Sequence, residues 1–452
     1  MHFGNGCMRP NAIARIGRRK VDHMFRLKSL TKRERSWVLY DVANSAYILT
    51  IVTVLFPIYY LSLAAHIPNR TQIFTFVTAG IVLTDALLSP LIGSLSNYQG
   101  NKKKFFAIFL LIGLIGGFAL IIPGLHIITL LAFFVISSIG YNISIVVYDA
   151  FLIDVTDESR MDKVSSLGYA WGYIGSMIPF TIAIVPYALV VLEFLPASLE
   201  QLTVGFAFVV ALVWWLVYSI PMLKDVKQDF AIPKPDKPIR FALRSLKKTF
   251  VDMKAYRNIF IFMFAYLFFI DVVNTVIRLA VAIGSDLGVG VTVLLGVVVL
   301  VQLIAFPCSI LYGKMTEKFG GKVMIYYGIV IYALIIGVTH FINENTVWLM
   351  WVVGILVGSA QGGIQSISRS YFAKLLPMEK ANEFFGFFSV FGKFSGIISP
   401  FLLGIFITVW GTNRAVLTLL LPLLIGAIFL AFVKEEKPEL DDILADPVLP
   451  EA

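Results

Sequence analysis

The sequence is poor in the residues on which soluble chemistry is built. Charged residues fill 14% of the chain, against roughly 25% in an ordinary soluble domain. Its two cysteines and five histidines exclude a disulfide framework and a zinc cluster. Cys7 lies in a basic N-terminal arm and Cys308 inside an apolar run, and both read as structural or incidental. His66, His126 and His340 fall on different loops at one membrane surface and read as unrelated to one another. There is no Gly-rich phosphate loop, no zinc spacing and no nucleophile elbow. These absences leave no constellation for an enzyme and imply neither a cofactor nor a metal. The net charge of +9 does not mark a nucleic-acid binder, because the basic residues are not interleaved with aromatics in a soluble domain. They sit between apolar runs, where they orient a membrane protein.

What the chain has in excess is hydrophobic residues, 58% of the total. About 20 apolar residues cross a bilayer as a helix, and twelve such spans can be drawn: 37–65, 70–96, 104–123, 126–152, 163–192, 201–222, 258–284, 289–313, 322–341, 347–373, 382–410 and 414–433. Loops after odd spans hold only Arg70 and Arg414. Loops after even spans hold Lys102, Lys103, Lys104, Arg160, Lys163, Lys314, Lys318, Lys322, Lys374 and Lys380, besides the ten Lys/Arg of residues 223–257. Positive charge accumulates on the cytoplasmic side, so both termini and the central segment are expected there. The expected organisation is an all-α membrane protein with a cytoplasmic arm at 1–36, a six-helix bundle at 37–222, a linker at 223–257, a second bundle at 258–433 and a cytoplasmic tail at 434–452. Residues 1–23 read unlike the start of a membrane protein, and the compact lead from Met24 makes that residue an alternative start of translation.

Within the linker, DVKQDFAIPKPDKP is charged and proline-bearing. After it, Leu243, Leu246, Phe250 and Met253 share one helical face among Arg244, Lys247, Lys248 and Lys254. Such a helix either lies on anionic lipid or clamps the two halves together. The halves repeat. Gly93, Asn97, Gly100 and Lys102 recur as Gly313, Glu317, Gly320 and Lys322 at an offset of 220, and Gly175/Pro179/Phe180 recur as Gly396/Pro400/Phe401 at 221. A weaker echo, Asp41/Asn44 against Asp271/Asn274, has an offset of 230. A parallel repeat about an axis normal to the membrane follows.

Polar side chains recur every third span. Span 1 carries Asp41 and Asn44, span 4 Asn142 and Asp149, span 7 Asp271, Asn274 and Arg278, and span 10 Gln361, Gln365 and Arg369. Spans 3, 6, 9 and 12 are almost featureless. Intramembrane ionisable groups normally face a cavity or a partner, so spans 1, 4, 7 and 10 are expected to enclose an aqueous path, with the apolar spans outermost. For Asp41 the alternative is snorkelling to the headgroups from one turn inside Trp37. Asp41, Asn44, Asn142, Asp271, Asn274, Arg278, Gln361 and Gln365 are the candidate substrate-binding or coupling residues. Asp271, about 20 Å into its span by the helical rise, is the central carboxylate, positioned either for a substrate ammonium or for a coupling proton. Asp85 and Lys393 lie at similar depths, about 18 and 15 Å from the inner face. They read as a latch across the seam, a static pair, or a lysine that meets an anionic substrate group. Asp149 and Arg369 join them as candidates for gating or inter-half pairing.

The paired glycine–lysine loops resemble the signature of the major facilitator superfamily, with Asn97 where an Asp is usual. W37-V-L-Y-D-V-A-N-S-A-Y47, D271-V-V-N-T-V-I-R278, Q361-G-G-I-Q-S-I-S-R-S370 and E383-F-F-G-F-F-S-V-F-G-K393 with Pro400 resemble its vacuole-effluxer-like branch. The eukaryotic members of that branch are autophagy-related vacuolar amino-acid exporters. The resemblance implies a twelve-helix facilitator fold and secondary transport of a small solute, with efflux, neutral amino acids and proton coupling as the finer expectations. A lipid translocase and a non-transporting sensor or scaffold are the alternatives. The compact chain looks bacterial, which implies the plasma membrane, and a monomer is expected.

Overall fold

A computed structural model of the chain describes residues 30–64, 66–67, 70–251, 256–396 and 398–434. Cys7, Met24, Met253, Lys254, most of the arm and nearly all of the tail lie outside these. The described residues are almost entirely helical. Helix α1 (Lys32–Leu63) is followed by α2 (Arg70–Ser96), α3 (Asn101–Ala119), α4 (Ile127–Ala150), α5 (Met161–Val191) and α6 (Glu200–Asp225). A short helix, α7 (Pro238–Val251), leads to α8 (Arg257–Asp286), α9 (Val291–Phe319), α10 (Gly321–His340) and α11 (Leu349–Leu375). Span 11 is two helices, α12 (Ala381–Phe394) and α13 (Ile398–Trp410), and α14 (Thr412–Ala431) closes the fold with a tightened turn at Val416–Leu419. Among the described residues, eleven stretches are long and apolar enough to cross a membrane. Helix α3 falls outside that set because its 19 residues begin with Lys102, Lys103 and Lys104. With it there are twelve spans in two bundles.

Local chemistry explains the irregular points. Thr31 and Glu34 form a capping box: Glu34 N–H donates to Thr31 Oγ1 at 3.2 Å and Thr31 N–H to Glu34 Oε2 at 2.7 Å. Helix α1 is not uniform, since Ile48–Leu55 is a π-helical stretch immediately before Pro57. A proline has no N–H to return to the preceding turn, and a π stretch is one way a helix absorbs such a break. His126 caps α4 by accepting from Ile128 N–H at 3.4 Å, and His340 meets the Asn413 carbonyl at 2.7 Å, so these two histidines serve separate helix ends.

Helices α3, α6, α10 and α14 carry stripes of exposed apolar residues: Ile108, Leu111 and Ile115 on α3, Val213, Leu216 and Val217 on α6, Val323, Tyr327 and Val330 on α10, and Leu421, Leu424 and Ile428 on α14. Hydrocarbon is the solvent that suits them. The bundles meet along α2 with α12 and along α5 with α9 and α11. The repeated loop motif turns at a positive-φ glycine in both halves, but differently: Gly100 (φ 74°, ψ 0°) is left-handed helical and Gly320 (φ 82°, ψ 157°) is extended, conformations that glycine enters without strain. The lysine that follows each meets the C-terminal end of a helix, where carbonyls concentrate negative charge. Lys322 Nζ donates to the Ala431 and Val433 carbonyls at 3.0 and 2.8 Å.

Lys102, counted above with the surface charges, is fully buried. It pairs with Asp154, itself buried, and donates to the Ala150 carbonyl at 3.3 Å. Asp154 also accepts from the backbone N–H groups of Asp229 and Phe230 at 2.8 and 3.0 Å, which fastens the start of the linker to the first half. Ile232 continues the attachment by pairing with the backbone of Asn97 and Gln99 at 2.9 and 3.0 Å. We call this face, with the α2–α3, α4–α5 and α6–α8 connections, the linker side. Removing one partner of a buried pair costs about 3–5 kcal/mol. Lys102→Met is therefore expected to lower the melting temperature of the solubilised protein and to raise hydrogen exchange over residues 228–232. Unchanged exchange there would show that the pair does not hold the strap.

Candidate functional site: a closed gate and a broken helix

Two polar layers emerge. The first is centred on Arg369 of α11, which reaches into the first half. Its Nη2 donates to Asp41 Oδ2 and its Nη1 to Asp149 Oδ1, both at 3.1 Å, while Nε donates to Ser165 Oγ at 3.0 Å. Its guanidinium carbon lies 4.6 Å from the ring centres of Trp37 and Tyr169 and 5.7 Å from that of Tyr148. Trp37 is held for this contact by stacking on Tyr148 at 4.6 Å and by donating Nε1–H to the Tyr148 carbonyl at 3.0 Å. Arginine suits such a place because its planar fork satisfies two carboxylates while its faces lie against rings. Gly168 of α5 allows the approach, since a methyl group on it would run into the Asp41 carboxylate.

Around this centre the halves are laced together towards the linker side. Ser165 Oγ donates to the Ser366 carbonyl at 2.7 Å, Ser370 Oγ to Asp162 at 2.6 Å, and Lys374 pairs with Asp162 at 2.5 Å. The Asn97 side-chain oxygen accepts from the Asn382 backbone N–H and side-chain amide at 3.2 and 2.8 Å. Asp41 thus neither snorkels to headgroups nor stands with Asp271. It belongs to the Arg369 cluster, with Asn44 Nδ2 donating to it at 3.3 Å. The aromatic partners and Asp162 were missed in the sequence, where the tryptophan and tyrosines look like ordinary span residues.

The second layer surrounds the interruption between α12 and α13. Lys393 Nζ lies 3.0 Å from Asp85 Oδ2, to which Asn142 Nδ2 also donates at 2.6 Å. Across the gap, Asn274 Nδ2 donates to Ser395 Oγ at 3.1 Å, and Ser399 N–H, in the first turn of α13, donates to Asp271 Oδ2 at 2.6 Å. Arg278 is exposed and stands beside Gly396. Asp85, Asn142, Asp271, Asn274, Arg278 and Lys393 are therefore brought around one broken helix. Gln361 is not among them: it faces Tyr173 of α5, and Gln365 is half-buried one turn further along α11. A separate apolar cavity lies inside the second half, lined by Val276, Ile283, Ile336, Met350, Val353 and Leu419.

The family model described as vacuole effluxer Atg22 like matches residues 153–441. The chain belongs to that family. The MFS-type transporter YxiO of Bacillus subtilis (strain 168) is 42% identical to this Atg22-like protein over 416 residues, covering 91% of the chain and 96% of the relative. Autophagy-related protein 22-2 of Aspergillus clavatus is 25% identical over 288 residues, which span 58% of the chain but only 46% of the fungal protein. Among solved structures, the human organic anion transporter MFSD10 (TETRAN) superposes with a TM-score of 0.67 at 12% identity, covering 88% of the chain and 99% of that structure. The protein is thus a multi-pass transporter of the major facilitator superfamily, in a family of transporters rather than enzymes, and such transporters bind small molecules within the membrane.

Two expectations follow for the Atg22-like transporter. Truncating one member of a buried hydrogen-bonded charge cluster costs about 2–5 kcal/mol, so Arg369→Ala should loosen the linker-side seam. In a Cys7→Ser/Cys308→Ala background, Ser366→Cys should then react with a maleimide at least about tenfold faster, the equivalent of about 1.4 kcal/mol. An unchanged rate would show that the cluster does not hold the seam. At the second layer, Asp85→Lys or Lys393→Asp alone should destabilise the protein by about 3–5 kcal/mol, with the charge-swapped double variant recovering most of the loss in a thermal melt.

Proposed function

We propose that the protein exports a small zwitterionic solute across the plasma membrane, with neutral α-amino acids as the leading class and an inward-moving proton as the driving ion. The observation that carries this reading is the break between α12 and α13 facing Asp271, Asn274 and Arg278 of α8, with Lys393 one turn away. A half-helix that starts within the membrane presents free N–H groups, and in transporters such ends meet anionic substrate groups. Here the α13 end, Arg278 and Lys393 favour a carboxylate, while Asp85 balances an ammonium. A zwitterion matches both signs at once, whereas a neutral sugar would leave them unanswered.

The basic loops favour a cytoplasmic linker side. On this reading the intact Arg369 cluster closes the cytoplasmic side, which corresponds to an outward-facing state. The contacts given above between the halves run from the linker side to the Asp85–Lys393 pair. Beyond it, α13 packs on its own half, on α8 and the α14 segment. Export follows when the cluster parts, the solute enters from the cytoplasm and the halves rock back around the broken helix. The chain acts as a monomer in this scheme, since both halves of the path come from one polypeptide.

Asp271 is fully buried in this state and caps α13, so it suits the proton better than the substrate. Protonation removes the charge that accepts the Ser399 N–H and loosens α13 from α8. Counterflow in proteoliposomes with a panel of neutral amino acids, sugars and lipids tests the substrate class; counterflow with sugars or lipids but with no amino acid would overturn it. In Asp271→Asn, which keeps the acceptor oxygen, exchange should stay within about threefold of the parent while proton-driven accumulation is lost. Loss of exchange as well would assign Asp271 to direct substrate binding.

A further inference from the structure

Helix α7 has two faces with different partners. On one face Ala242 and Ser245 are buried. Tyr98 of the first half donates its hydroxyl to the Pro238 carbonyl at 3.2 Å, and Ser245 Oγ donates to Glu383 Oε2 of the second half at 2.9 Å. Helix α7 therefore touches both halves at the linker side, and Glu383 lies in the first turn of α12, next to the Asn97–Asn382 contact. On the other face Ile239 and Leu243 are 61% and 54% exposed, one turn apart, with Arg240, Arg244 and Lys247 exposed among them. At the N-terminal end of α7, Pro235, Lys237, Arg240, Phe241 and Arg244 line an open cleft of about 270 Å³ with three cations and no carboxylate among its described lining residues.

The sequence left a choice between a lipid-facing helix and a clamp, and the two roles fall on different faces. The apolar pair Ile239 and Leu243 has no reason to be exposed to water, and a helix tied at both ends to membrane spans lies where the headgroups are. We propose that the cleft of Lys237, Arg240 and Arg244 binds the phosphate of an anionic phospholipid, with Ile239 and Leu243 set into the acyl boundary, and that this lipid biases the linker-side gate through Ser245 and Glu383. Cations beside a bilayer are attracted to anionic headgroups, and three converging on one concave surface can enclose a phosphate. The opposite face then transmits the position of α7 to α12. This role is independent of the transported solute.

The test uses the full chain in nanodiscs, in the Cys7→Ser/Cys308→Ala background. Leu243→Cys carries an environment-sensitive fluorophore, and the lipid carries a spin label near the headgroup end of its acyl chain. Spin-labelled phosphatidylglycerol should quench the fluorophore at least about twofold more than spin-labelled phosphatidylcholine at equal mole fraction. The Lys237→Gln/Arg240→Gln/Arg244→Gln variant, altered only at exposed positions, should reduce the first to the level of the second, and added inorganic phosphate should not compete. Equal quenching by the two lipids, or a fluorophore that emits as in water, would overturn the site; competition by phosphate would assign the cleft to a soluble anion. For the gate, maleimide labelling of Ser366→Cys should change by at least about threefold between the two lipids and lose that dependence in the triple-Gln variant. A rate independent of lipid with the site intact would overturn the coupling to α12.

Discussion

A guanidinium in a low-dielectric seam is tolerable only while carboxylates, hydroxyls and ring faces stay within reach of it. Arg369 belongs to the second half, and the partners described here, Asp41, Asp149, Ser165, Trp37, Tyr148 and Tyr169, belong to the first. Separating the halves exposes a bare cation on one side and two carboxylates on the other. A partial separation would lose most of the interaction before water could replace it. The seam is consequently either made or broken, as two rocking bodies require. The outer ring of Asp162, Ser370, Lys374, Asn97 and Asn382 adds direction more than energy, since most of its hydrogen bonds have at least one neutral partner.

The two halves are alike where they pack and unlike where they act. Gly175 and Pro179 lie within the continuous α5, but the equivalent Gly396 and Pro400 lie at the break between α12 and α13. A proline frees a carbonyl in either helix. What differs is the neighbour. Gly175 packs against Val42, which offers no hydrogen bond, whereas the N–H of Ser399 is taken up by Asp271. Asp271 of α8 is spent on the Ser399 N–H, whereas Asp41, its counterpart in the weaker echo, is taken up by Arg369, and this difference turns a repeated motif into an asymmetric site.

The twelve spans, their grouping and the outermost position of α3, α6, α10 and α14 were legible because hydrocarbon tolerates few polar groups and each one stands out. Depth counting from Asn97 and Glu383 also placed Asp85 opposite Lys393. Less could be read where a residue's role depends on what comes near it in space. Asp41 looked like a path-lining group because nothing in its own helix announces Arg369, 328 positions away. Lys102 was indistinguishable from Lys103 and Lys104 until Asp154 closed over it. The π stretch of α1 and the break after Phe394 were hidden because the small polar side chains there, Thr50 and Thr53 in the one and Ser395 and Ser399 in the other, also occur in continuous membrane helices.

The fastening of Asp229, Phe230 and Ile232 to the first half has a practical corollary. It divides the central connection into a fixed strap and a short leash, Pro233 to Lys237, most of which is exposed. A reporter domain grafted into the leash would ride beside the moving seam without prying the strap from its seat. The same graft a few residues earlier would unseat Asp154 and Lys102 and report on damage instead.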